Sequence, residues 1–287
     1  MYKKLILSIM LIHSLAIHAE PLNKAQRESG HAVAGAASRL AHTPRLHSSI
    51  ALIYDAQNKR ALYAKKADEV VPIASISKLM TAMVVLDAQL PMDQKIRINS
   101  RDVDTLKWSR SRMRPGTILT RGELLKLALM SSENRAAAAL ARTYPGGTEA
   151  VVAQMNIKAQ ALGMKDTHFI DPTGLNSGNV STAQDLVKLV LATQSYAPIQ
   201  RATTSTSHIV TRPGSRPLLY VNTNPLVSSS SWDIRVSKTG YISEAGQCLV
   251  MQANIKQHPV VFVLLDSQAK SARIGDAIRI KKWMEMV

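Results

Sequence analysis

The sequence predicts an α+β fold: an antiparallel sheet flanked by helices, with a helical lobe inserted between its N-terminal and C-terminal strands. Three observations carry this expectation. Two short strand-like runs stand at 49–64, helix-period segments fill most of 75–193, and strand-like runs return between 208 and 266 before one closing helix. The domain boundaries expected from it are 1–19, 20–46 and 47–287.

The elements follow in order. Ser49-Ile50-Ala51-Leu52-Ile53-Tyr54 and Arg60-Ala61-Leu62-Tyr63-Ala64 are rich in strand-favouring residues, and the polar stretch 55–59 between them suits a hairpin turn. A helix-period apolar run starts at Ile76 and ends before Pro91, with Pro72 limiting its backward extension. Residues 96–120 are basic and irregular, with Arg101, Lys107, Arg110, Arg112 and Arg114 among Ser, Pro and Gly, and read as loop. Thr120 and Glu123 have capping-box spacing at the head of an apolar helix over 121–130. An Ala-rich helix over 135–142 follows, so that Ser132-Glu133-Asn134 falls on a tight corner between the two. A helix over 148–162 is closed by Gly163, 168–176 is a turn-rich loop, and a helix over 182–193 has Thr182 as its cap. Residues 208–210, 217–221, 234–240, 247–255 and 259–266 read as strands, and 272–286 as the last helix.

Composition bounds the function. The 287 residues carry a formal charge of +16 and a pI near 10.1, which suits an anionic polymer as surroundings. Trp108 alone interleaves the basic loop as an aromatic, too little for nucleic-acid stacking, so no nucleic-acid partner is expected. Lys3 and Lys4, the mostly apolar stretch 5–15 and Ala16-Ile17-His18-Ala19 read as a secretory signal peptide over 1–19, too short to span a bilayer. Residues 20–46 read as a flexible leader, and no other stretch could cross a membrane. An exported, periplasmic protein is therefore expected. Cys248 is the single cysteine and sits in an apolar run, as a buried small hydrophobe would. The eight histidines show no tight ligand spacing, so neither a metal nor another cofactor is expected.

Ser75 and Lys78 are the first candidates for chemistry. Ser75 falls at or near a helix N-terminus, close to unpaired backbone N–H groups, and Lys78 lies one turn on along the same face. A hydroxyl becomes a nucleophile when a neighbour takes its proton, and a desolvated neutral amine can do so. The bland alternative is a capping serine beside a solvated lysine. The spacing itself is unspecific: Ser267 and Lys270 repeat it in a loop after a strand.

Two further motifs follow in order, Ser132-x-Asn134 and Lys238-Thr239-Gly240. Ser132 can relay a proton to a leaving amine, and Asn134 can hold a substrate amide. Lys238 adds charge that would keep Lys78 neutral, Thr239 can bond a substrate carboxylate, and Gly240 lets a substrate strand lie close. Ser177-Gly178-Asn179 also fits Ser-x-Asn, but in a Gly-rich loop. Taken with the helix and strand contexts, the three motifs resemble the low-molecular-mass penicillin-binding proteins, serine D-Ala-D-Ala peptidases of family S11. Stretches 72–83, 102–117, 123–140 and 169–175 extend the resemblance, which covers about 47–287. It implies the β-lactamase/DD-peptidase-like fold with the site between sheet and lobe. It also implies an oxyanion hole from the backbone N–H groups of Ser75 and Tyr241, peptidoglycan as substrate, and β-lactams as covalent inhibitors. Arg273 is either a second contact for the substrate carboxylate or a surface residue at a helix start.

Within the family the chain is most similar to the D-alanyl-D-alanine endopeptidases. The chain ends one helix after its last strand, and the tripeptide is Ser-Glu-Asn where the carboxypeptidases carry Ser-Gly-Asn. The expected reaction is hydrolysis of D-Ala–diaminopimelate cross-links through an acyl-enzyme on Ser75, with D-Ala-D-Ala carboxypeptidase activity as the alternative. A β-lactamase would need a carboxylate to activate water, and the single Glu between Asn134 and Lys238 is Glu149, at a helix start. An inactive wall-binding protein would not need all three motifs intact.

Overall fold

Six consecutive residues, Val260 to Leu265, have no measurable solvent exposure, and they lie at the centre of a five-stranded antiparallel sheet. Both faces of this strand are covered, which is why its sequence is a continuous apolar run rather than an alternation. The computed structural model describes residues 43–212, 214–269 and 271–286. The expected signal peptide, all of the leader before residue 43, and Lys270 of the alternative Ser-x-x-Lys pair lie outside the described residues.

The sheet is built from β1 (Ser48–Asp55), β2 (Arg60–Lys65), β9 (Asp233–Ile242), β10 (Gly246–Ile255) and β11 (His258–Ser267), in the order β2-β1-β11-β10-β9. N-terminal and C-terminal strands therefore share one sheet, as the sequence predicts, with Ile50 opposite Leu265 and Leu52 opposite Val263. Along β11, Phe262 and Leu264 face one core with Ala277 and Ile280 of the closing helix, while Val261, Val263 and Leu265 face the other. β9 stands at the sheet edge and so keeps one row of backbone groups outside the ladder.

Between β2 and β9 the chain builds the helical lobe. It contains α1 (Ser77–Asp87), α2 (Arg121–Met130), α3 (Asn134–Arg142), α4 (Gly147–Ala161), α5 (Ala183–Ala192) and α6 (Ala197–Thr204). α1 is buried on every side through Val85, so it is an interior helix, mostly apolar but carrying Ser77, Lys78 and Thr81. The capping box at α2 is present: Thr120 Oγ1 accepts from Glu123 N, and Glu123 Oε2 accepts from Thr120 N. Thr182 caps α5 by accepting from Asp185 N.

Some elements were not expected. α6, entered through Pro198 at its first turn, falls in a stretch to which no element was assigned. Short ladders join β3 (Val71–Pro72) to β6 (Val180–Ser181), and β4 (Lys95–Arg97) to β5 (Ile118–Thr120). Two- and three-residue strands carry no readable period, so their pairing is a tertiary fact. β7 (Ser207–Arg212) and β8 (Ser215–Val221) form a separate hairpin, and α7 (Ala272–Met286) closes the chain.

Asp276 ties the two ends of the fold together. Its carboxylate, fully buried on α7, accepts from His47 N, Ser48 N, Ser48 Oγ and Arg279. Burial by itself would raise its pKa, but the Ser48, His47 and Arg279 donors outweigh that and hold it below the ordinary value of 3.8. A lowered carboxylate contributes stability that is present above its unfolded pKa and lost as pH falls through the folded one. Asp276→Ala should therefore destabilise the protein by about 2–4 kcal/mol at neutral pH in urea unfolding. The difference from wild type should shrink progressively below pH about 4.

Candidate active site

The backbone bends sharply just before the Ser75 helix. Ala74 has φ +48, a left-handed conformation that costs a non-glycine residue about 1–3 kcal/mol, and Ala74–Ile76 make one 3-10 turn leading into α1. Ser75 thus stands immediately ahead of the α-helix, as expected. Ser77 Oγ donates to the Ala74 carbonyl at 2.8 Å, and Ile73 N donates to the Asn179 carbonyl at 3.0 Å, which fixes the turn.

Two glycines press on this turn. A Cβ on Gly174, which has φ +77, would lie 1.9 Å from the Ala74 carbonyl oxygen. A Cβ on Gly240 would lie 3.0 Å from the Ile73 carbonyl oxygen and 3.1 Å from Ser75 N. The strand of Gly240 thus packs closely on the protein's own backbone at Ser75.

Lys78 is 1% exposed and extends towards three oxygens. Its Nζ lies 2.8 Å from Ser75 Oγ, 2.7 Å from Asn134 Oδ1 and 2.6 Å from the Thr173 carbonyl oxygen. Burial pushes its pKa down to about 7, against the opposing pull of Asp171, Glu133 and Asp104. Desolvation is the main cause, as the expected role of a desolvated neutral amine requires. Lys238, also 1% exposed, is itself held well below the ordinary lysine value, by burial first and then by Lys78 and Arg273.

Lys238 Nζ donates to Ser132 Oγ at 2.9 Å and to the Thr239 carbonyl at 2.7 Å. Ser132 occupies the corner between α2 and α3 with φ +58, so its hydroxyl is presented by a strained backbone. Asn134 begins α3, and besides meeting Lys78 it donates through Nδ2 to Ser109 Oγ at 2.8 Å. Each end of the Asn134 amide makes one hydrogen bond within the protein, which leaves a second N–H and a second carbonyl lone pair for another partner. Thr239 Oγ1 lies 2.7 Å from Thr223 Oγ1. Tyr241 follows Gly240 on β9 with its side chain 59% exposed.

Arg273, in the first turn of α7, is no free surface residue. Its guanidinium is half-buried and donates to the Gly240 carbonyl at 2.6 Å, and desolvation lowers its pKa. The alternative Ser-x-Asn pair does different work. Asn179 is fully buried, accepts from Ile170 N and Asp171 N, and donates to Ser77 Oγ and the Asp171 carbonyl, so it pins the 168–176 loop onto α1. Glu149 is exposed in the first turn of α4. Cys248 is fully buried and burial raises its thiol to about 11, as fits a small hydrophobe.

Ser109, the Thr173 carbonyl and Thr223 are the members the sequence did not single out. Asp171 shapes the loop that presents Thr173, accepting from the backbone N–H groups of Thr173, Gly174 and Asn176. The Asp-Pro-Thr-Gly turn chemistry was legible, but a backbone carbonyl aimed at a lysine leaves no mark in sequence. Glu133 is 8% exposed; burial raises its carboxyl, against a Ser111 hydrogen bond, the Arg135 backbone N–H and the Lys78 and Arg135 charges. Among the described residues no group of His, Cys, Asp and Glu side chains could hold a metal ion.

This geometry has close counterparts. The D-alanyl-D-alanine endopeptidase of Pseudomonas aeruginosa is 46% identical over 241 residues, covering 84% of this chain and 78% of that protein. The D-alanyl-D-alanine endopeptidase of Escherichia coli K12 is 45% identical over 253 residues, 87% of this chain and 81% of that one. Among solved structures, the Streptomyces K15 DD-transpeptidase superposes with a TM-score of 0.78 at 30% identity, over 85% of this chain and 99% of its own. The D-alanyl-D-alanine carboxypeptidase of Mycobacterium tuberculosis H37Rv gives 0.75 at 25% identity, over 85% and 93%. The S11 peptidase family, described as D-alanyl-D-alanine carboxypeptidase, matches residues 37–269, and the chain belongs to that family.

Proposed function

We propose that the protein is a serine DD-endopeptidase that hydrolyses D-Ala–diaminopimelate cross-links of peptidoglycan through an acyl-enzyme on Ser75. The observation that carries this is the set of partners around Lys78. A neutral amine has two N–H donors and one lone pair. Asn134 Oδ1 and the Thr173 carbonyl can only accept, so they take both donors. The lone pair is left for Ser75, the one partner with a proton to give. A lysine with its pKa at about 7 is half neutral at physiological pH, as a general base should be.

In this reading Ser75 Oγ loses its proton to Lys78 Nζ and bonds to the peptide carbonyl carbon. The developing oxyanion is met by the backbone N–H groups of Ser75 and Tyr241. As the carbon–nitrogen bond breaks, Ser132 Oγ donates a proton to the leaving amine and regains one from Lys238, whose lowered pKa makes its ammonium a better acid. Thr239 bonds the carboxylate next to the scissile bond, and Arg273, held at Gly240, adds charge beside it. Asn134 positions Lys78. Water then attacks the ester, one water proton returns to Lys238, and Lys78 gives its proton back to Ser75. Similarity to the endopeptidases of Pseudomonas aeruginosa and Escherichia coli supports cross-link cleavage over removal of a terminal D-Ala. Residues 1–19 would direct export to the periplasm and be removed, with 20–46 as a leader ahead of the catalytic domain over 47–287. Among the described residues no helix is long and apolar enough to cross a membrane.

A β-lactam would acylate Ser75 by the same steps and persist, because Glu149 is exposed and no other Glu lies between Asn134 and Lys238 to activate the deacylating water. Intact mass after incubation with benzylpenicillin should show a stable one-drug adduct on wild type and none on Ser75→Ala; an adduct on the variant would overturn the assignment. Acylation by benzylpenicillin should rise with pH through about 7 and then level, because only neutral Lys78 accepts the proton. Lys78→Ala should slow acylation by about 10²–10⁴-fold and abolish that rise, measured by stopped-flow competition with a fluorescent penicillin.

A further inference from the structure

Next to the proposed machinery lies a groove of about 770 Å³ whose lining includes Arg110, Arg112, Arg135, Glu133, Tyr220 and Thr223. It adjoins the cluster at two points. Thr223 is bonded to Thr239, and Ser131, also in its wall, directly precedes Ser132. Ser132 and Thr239 are the groups assigned above to the leaving amine and its neighbouring carboxylate, so the groove continues from the leaving-group side.

Its charge is one-sided. Three guanidiniums face one carboxyl, and burial raises the pKa of that carboxyl, Glu133, which weakens its opposition. Arg110 and Arg112 are exposed and enter no ion pair among the described residues. Arg112 nevertheless stacks on an aromatic ring, with its guanidinium carbon 4.5 Å from the centre of the Tyr220 ring, and Arg135 donates to the Met113 carbonyl at 2.8 Å. The groove beside Thr173 differs, since Asp104 and Asp171 contribute to its wall.

We propose that Arg110 and Arg112, backed by Arg135, form a carboxylate-binding subsite for the leaving strand, the second stem peptide of a cross-linked substrate. This rests on the endopeptidase reading. A terminal D-Ala leaving group ends at the carboxylate beside the scissile bond and has nothing to place in the groove. The leaving strand of a cross-link continues past that point and carries further carboxylates, which planar guanidiniums recognise. The subsite therefore selects cross-linked dimers over pentapeptide monomers.

The test compares wild type, Arg110→Gln and the Arg110→Gln/Arg112→Gln double variant on three reactions: cleavage of muropeptide dimers, cleavage of pentapeptide monomers, and acylation by benzylpenicillin. The double variant should lose about tenfold in kcat/KM on dimers, mostly through KM, while the other two reactions stay within about twofold. Arg110→Gln, which leaves the Arg112–Tyr220 contact in place, should lose less in the same direction. High salt, or amidation of the dimer carboxylates, should bring wild type down to the double variant. Equal dimer cleavage by wild type and double variant would overturn the subsite, as would a parallel loss in all three reactions. Wild type that is acylated by the drug yet leaves dimers intact would overturn the endopeptidase reading and the subsite with it.

Discussion

Two lysine amines kept out of water are the constraint on which the rest of the site depends. Lys78 comes from the helical lobe and Lys238 from the sheet, and each is dry only because lobe and sheet close on one another. An ammonium in that setting is costly unless oxygens replace its water, so each amine is met by fixed acceptors: Asn134 and Thr173 around Lys78, Ser132 and Thr239 around Lys238. The acceptors are all neutral. Desolvation therefore prevails over charge attraction and both pKa values fall, which a carboxylate partner would have prevented.

Holding this arrangement requires the backbone to be tighter than side chains normally allow. Gly174 and Gly240 press on the Ala74–Ser75 turn, while Ala74 and Ser132 adopt left-handed conformations without being glycine. Such strain persists when the surroundings over-determine it. Here α1, buried on all sides, anchors one flank; Asn179 and Asp171 bind the 168–176 loop to it, and β9 supplies the other. The core thus fixes where Ser75 and its neighbours stand, and the chemistry uses groups that have little freedom left.

Charge is distributed with the same economy. The overall positive charge suits an anionic wall polymer at long range, but its directional part lies in the loop after β4 and its neighbours, where Arg110, Arg112 and Arg135 border the groove beyond Thr223. The loop has no regular structure from 103 to 114, yet it contributes to the site directly, since Ser109 bonds Asn134.

The sequence alone determined the order of the long strands and most helices, the capping box at Thr120 and Glu123, the corner at Ser132-Glu133-Asn134, and the Ser75–Lys78 spacing. Each is a short-range property: a period, a cap or a one-turn offset that adjacent residues enforce by themselves. Local pattern already separated Ser132-x-Asn134, on a corner between helices, from Ser177-x-Asn179 in a Gly-rich loop, and the tertiary structure added what each asparagine meets, Lys78 for Asn134 and Ser77 for Asn179. The tertiary structure also decided that Gly240 lies close against Ser75's own backbone, that Arg273 lies against β9, and that burial lowers Lys78 to about 7. A carbonyl such as that of Thr173 has no side-chain identity, and desolvation belongs to a closed seam between distant segments, so neither could be read from the order of residues.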